Sequence, residues 1–159
     1  DTSRETVAKR RCREAGLLDT YENRQRVMAS NFGTEVGKLV ESGDLDQIQA
    51  NAGLKFAELH IDYSRMMGFP PRHAQSAAYG HVRGGMGEDR PEYVEALIAR
   101  YSAAQGVMRK MGVIQRDMLF RVCVDDNPLP SKGSALACLV LALDSLVDFF
   151  GEADLRAAA

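Results

Sequence analysis

The chain has 159 residues, 45% of them hydrophobic and 26% charged, with a formal net charge of −2. That is enough apolar material to pack one domain or two small lobes, and the slight acidity excludes a protein that coats nucleic acid with its whole surface. Three cysteines, Cys12, Cys123 and Cys138, lie far apart and form no C-x-x-C, which argues against a disulfide framework or a cysteine zinc site and for a reducing, cytoplasmic setting. No apolar run approaches the roughly 20 residues of a membrane span, and the first residues do not read as a signal segment.

Charge is unevenly spread. From Arg4 to Arg13 five bases (Arg4, Lys9, Arg10, Arg11, Arg13) meet one acid, Glu5. Between Arg65 and Gly87 stand Arg65, Arg72, Arg83, His73 and His81 with no acid, whereas from Val122 onward six acids face only Lys132 and Arg156. Basic footprints therefore belong to the N-terminal arm and the central loop.

In chain order, residues 4 to 15 read as a short basic helix or an arm ended by Gly16. A helix is expected over 21–32, interrupted at Gly33, and Thr34 caps a continuation to Ser42. Gly43 closes that helix and Asp44 is the expected N-cap of the next. There Leu45, Ile48, Ala52, Phe56, Leu59, Tyr63 and Met66 form one apolar stripe, so the helix runs to about Met67. Gly68 and Pro70-Pro71 stop it. Residues 68–90 then make a long glycine-rich connection, with room for a helical turn from His73 to Tyr79.

Pro91 suits the first position of a helix in which Val94, Leu97, Tyr101, Ala104, Met108 and Met111 repeat at three and four; Lys110 and Gly112 complete its end signals. A shorter helix is expected over 115–124, although Phe120 to Val124 is also the nearest strand candidate. Asp125 to Pro130 is a turn. The final helix, 134–150, is so apolar that it must sit at the centre of a core or of an oligomer interface. The fold expected is all-α, a compact bundle of about five to seven helices with a long basic Gly-rich loop. Its parts are an arm and hairpin (1–67), a connection (68–90) and a C-terminal helical region (91–159).

The loop "GHVRGGMGEDRP", Gly80 to Pro91, invites a phosphate-cradle reading. It lacks the Lys-Ser/Thr of a Walker loop and the strand and spacing of a dinucleotide loop, so it reads as a surface linker or as a contact loop using Arg72 and Arg83. His60, His73 and His81 form no zinc-binding spacing, and neither a metal nor a cofactor is expected. Cys12 among arginines is a candidate reactive thiol or an incidental one. Two helix-turn-helix candidates stand out, 36–56 and 117–150. The first offers Gln47, Gln49, Asn51 and Lys55 to bases; the second exposes Asp144, Ser145 and Asp148, which repel phosphate.

Three further segments carry a resemblance: "RDMLFRVCVDD" at Arg116 to Asp126 after the helix containing Ala99-Arg100-Tyr101, the Pro130-Ser131-Lys132 turn entering "LVLALDSLVDFFG", and "IQANAGLKFAELHIDY" at Ile48 to Tyr63. Together these cover about half of the chain. The region Tyr93 to Gly151 resembles a helical domain of alphaproteobacterial gene-transfer-agent activators and related phage transcription regulators. The resemblance implies a non-enzymatic factor that associates with RNA polymerase and alters transcription, with antitermination as one mode, and the basic residues are expected to contact nucleic acid and/or polymerase. In that family the turn before the final helix is more basic than it is here. The expected contact residues are Arg10, Arg11, Arg13, Arg72, Arg83 and Lys132. The alternative is a helical assembly protein, such as a packaging-associated oligomer, joined through apolar helices.

Overall fold

The computed structural model describes residues 3–29, 31–69 and 91–157. Eight α-helices and no strand occur among them: α1 (Arg4–Glu14), α2 (Tyr21–Val27), α3 (Glu35–Glu41), α4 (Gln47–Met66), α5 (Pro91–Lys110), α6 (Val113–Leu119), α7 (Ser134–Phe150) and α8 (Glu152–Ala157). A π-helical turn, Phe120–Val124, extends α6. The expected all-α fold is thus present; the glycine-rich loop with its expected turn lies outside the described residues.

Local signals explain most boundaries. Ser3, Thr20 and Thr34 each place a hydroxyl over the amide three residues on, starting α1, α2 and α3. The N-cap expected at Asp44 is in fact Asp46, whose carboxylate accepts from the Gln49 amide while the Gln49 side chain accepts from the Asp46 amide. That reciprocal box outcompetes Asp44 because Gln49 stands at the position that can answer it. Asp44 instead accepts from the Ser42 hydroxyl at 2.6 Å and from Lys132 at 2.9 Å. Gly112 does not close α5 with a left-handed turn. Its φ of −64° and ψ of 154° make it the N-cap of α6, so that helix starts two residues before the expected Gln115.

The core runs from Val36 to Leu155 and is centred on α4 and α7. The α7 helix turns Leu139, Leu143 and Leu146 fully inward, each removal from water contributing about 1.5–3 kcal/mol. α4 lies against α7, α5, the π-turn and α8, and α6 lies along α7. Close approach is possible because α4 carries Gly53: a Cβ there would stand 2.7 Å from the Cys123 Sγ and 3.0 Å from Leu143. The turn after the π-segment feeds back across the chain. Asp126, at φ 52°, accepts the Glu35 amide at 2.8 Å and so helps to cap α3.

The first two helices form a separate small cluster. Ala8, Cys12 and Val27 are buried together, with Leu17, Met28 and Phe32 packed around them. Cys12 is wholly buried there, which removes it as a candidate reactive thiol. An Arg26–Glu41 ion pair of 2.7 Å ties this hairpin to α3. Among the described residues no helix is long and apolar enough to cross a membrane.

Candidate nucleic-acid interface

Spacing along α1 decides which of its bases face solvent. Ala8 and Cys12, one turn apart, fix the buried side, so Lys9, Arg10 and Arg13 share the opposite side at separations of one, three and four. Lys9 and Arg10 are 46% and 68% exposed, and each reaches an acid one turn away, Glu5 at 3.0 Å and Glu14 at 3.8 Å. Exposed pairs of this kind are weak, so the two cations remain exchangeable onto a phosphate.

Arg11 faces elsewhere. Its guanidinium donates to the Val27 carbonyl at 3.1 Å and lies 3.9 Å from the Met28 sulfur, closing the last turn of α2. The hairpin's other charges hold its shape. Arg24 grips Asp19 through two hydrogen bonds of 2.5 and 2.9 Å and reaches Glu5 at 3.1 Å. Lys9 holds the Glu5 carboxyl below its usual range, with Arg24 adding to the effect; Arg24 does the same for Asp19.

Of the remaining expected contact residues, Lys132 is ion-paired to Asp44 at 2.9 Å, clipping the turn before α7 to the α3–α4 loop. Hydrogen bonds from Ser42 first and Lys132 second lower the Asp44 pKa. The structure therefore brings Arg10 and Arg13 together, joins Lys9 to them, and leaves Arg11 and Lys132 in clamps. Arg72 and Arg83 lie outside the described residues.

The helix-turn-helix candidate 36–56 folds as α3, a turn and α4, and most of its polar side chains have partners within the chain. Gln47 is bonded to Asn51, Gln49 to Asp144 and Asn51 to the Leu155 carbonyl, while the Lys55 ammonium lies 5.1 Å from the Phe150 ring centroid. Gln49, Asn51 and Lys55 are thus engaged by α7 and α8, whereas Gln47 stays exposed beside Asn51 on α4 itself. His60 is likewise an internal group: its Nδ1 is 2.8 Å from the Tyr101 hydroxyl, and Tyr63 stacks on Tyr101 with ring centroids 4.0 Å apart. No group of three or more His, Cys, Asp or Glu side chains is arranged to hold a metal among the described residues.

Two exposed features escaped sequence reasoning. Leu18 and Tyr21 stand 80% and 76% exposed at the loop end of the α1–α2 hairpin. Val113 and Ile114 are 63% and 62% exposed within "RKMGVIQR", residues 109–116, which has three bases and no acid. The second was legible as a charge run; the first was hidden because leucines beside a helix-ending glycine ordinarily pack inward. Comparison with protein-family models, curated proteins and solved structures gave no match.

Proposed function

We propose that this protein is a non-enzymatic, phage-type transcription regulator that contacts nucleic acid through the outward face of α1 and associates with RNA polymerase. The observation that carries this reading is the common direction of Lys9, Arg10 and Arg13 on a helix whose opposite face is sealed by α2. Such a ridge meets a phosphate backbone without disturbing the core, and each phosphate it neutralises releases counterions. The resemblance of Tyr93–Gly151 and Ile48–Tyr63 to phage regulators supports the polymerase half and makes antitermination the first mode to examine. On this reading Arg72 and Arg83 add to the same contact.

Affinity capture by the tagged protein, with and without nuclease, tests the association. Retention of polymerase subunits after nuclease is expected, with retention reduced in a Lys9→Glu, Arg10→Glu, Arg13→Glu variant when nucleic acid is left intact. Loss of polymerase in both conditions contradicts the transcription role.

A further inference from the structure

The corner between α5 and α6 is fixed by the core and left uncovered. Met111, buried in the main core, pins it, and its amide donates to the Met108 carbonyl at 3.2 Å. The Gly112 carbonyl accepts from the Arg116 amide at 3.1 Å, and the Gly112 amide donates to the Gln115 side chain at 3.3 Å, so α6 starts at once. The two helices pack on α4 and α7 rather than on each other, which leaves the first turn of α6 unsheltered by α5. Val113 and Ile114 occupy that turn at 63% and 62% exposure. Two branched aliphatic side chains are thus held in water by a fixed backbone.

Charge around the pair is one-sided. The 21 residues from Ala96 to Arg116 hold four bases, Arg100, Arg109, Lys110 and Arg116, and no acid. Arg109 and Lys110 are exposed at the end of α5, and Arg116 is half-buried one turn after Val113. Among the described residues, the side chains of Arg109, Lys110 and Arg116 have no ion-pair or hydrogen-bonding partner. Arg24, Arg26, Lys38, Lys132 and Arg156, by contrast, each meet an acid of this chain. The nearest acid in sequence is Asp117, so residues 109–117 carry three bases to one acid.

We propose that this corner docks on an anionic phospholipid surface, with Val113 and Ile114 entering the acyl boundary and Arg109, Lys110 and Arg116 meeting headgroup phosphates. Unpaired cations call for an anionic occupant, and the aliphatic pair calls for an apolar interior directly behind that charge. Consecutive helical residues point about 100° apart, so Val113 and Ile114 diverge and do not share one slot between fixed side chains. A fluid acyl layer accommodates both. A nucleic-acid backbone would satisfy the cations and leave both aliphatics in water, and residues 109–117 hold no aromatic ring on which a base could stack. Among the described residues no helix is long and apolar enough to cross a membrane, so the contact is a peripheral one. This inference goes beyond the proposed regulatory role and uses different residues.

Flotation of the nucleic-acid-free protein with extruded vesicles, up to about 5 mM lipid, provides the test. The vesicles are phosphatidylcholine alone or with about 30% phosphatidylglycerol, at low and high salt. Binding to the anionic vesicles alone is expected, weakened by salt. A Val113→Ser, Ile114→Ser variant should bind at least about tenfold more weakly, and an Arg109→Ser, Lys110→Ser variant about thirtyfold more weakly, both with unchanged melting. An Arg10→Ser, Arg13→Ser variant loses the same charge from α1 and should change vesicle binding less than about twofold, which separates the corner from net charge. No flotation with anionic vesicles, equal binding to both vesicle types, or binding that survives the aliphatic substitutions overturns the proposal. So does a loss on α1 equal to the loss at the corner. Nucleic acid is absent throughout, so this proposal and the regulatory one fail separately.

Discussion

Gly53 sets how closely α4 approaches the π-turn and α7, and it does so against helix propensity. Alanine in a helix interior ordinarily gains about 1 kcal/mol over glycine. At Gly53 the new methyl meets the Cys123 sulfur and Leu143, so Gly53→Ala is expected to destabilise by about 1–3 kcal/mol. Gly106 in α5 has nothing within 4 Å of its would-be Cβ, so Gly106→Ala is expected to stabilise by about 0.5–1 kcal/mol. Urea unfolding of the two variants checks both signs. Cys123 makes a second residue-level prediction. Burial, with Asp126 adding to it, pushes its thiol from the usual 9.0 to about 12. Between those values the native state holds a proton that the unfolded chain has lost. The stability Cys123 contributes is therefore present below pH 9.0 and falls as pH rises toward about 12. Chemical denaturation across that range should show a steeper alkaline decline for the wild type than for Cys123→Ala; equal declines contradict it.

At the scale of elements, the hairpin and the bundle have different cores. Val27 is fully buried in the small cluster with Ala8 and Cys12 and takes no part in the large one. Val27→Ala is therefore expected to cost the hairpin about 2 kcal/mol while sparing the bundle. Amide exchange would show faster exchange in α1 and α2 alone; uniform acceleration in α4 and α7 would contradict the separation. The helices themselves were largely legible, since the stripe from Leu45 to Met66 and the repeat from Val94 to Met111 each demand a buried face. Errors fell where two signals competed. Asp44 and Asp46 both suit an N-cap, and only the Gln49 side chain decides between them. Gly112 sits between two helices and serves the second. Neither α8 nor the π-turn had a periodic signal, because both take their shape from packing on α4.

Across the whole molecule, the N-terminal hairpin carries a net excess of bases and residues 30–159 a net excess of acids, an asymmetry visible in the sequence. Which cations face outward was not visible. Arg11 and Arg13 are both exposed and differ by two residues, yet Arg11 reaches across to the Val27 carbonyl of α2, because the positions of Ala8 and Cys12 set the rotation of α1. Gln49 and Asn51 suggested base recognition, but each has a long-range partner, Asp144 on α7 and the Leu155 carbonyl on α8. The central claim is that Lys9, Arg10 and Arg13 form a phosphate-binding ridge. The measurement that tests it most directly is anisotropy titration of a labelled DNA duplex over a range of salt concentrations. Three neutralised phosphates predict a slope of about −2.7 in log affinity against log salt. The Lys9→Glu, Arg10→Glu, Arg13→Glu variant should lose this binding with its melting temperature unchanged. Equal affinity and slope in the wild type and the variant would contradict the account.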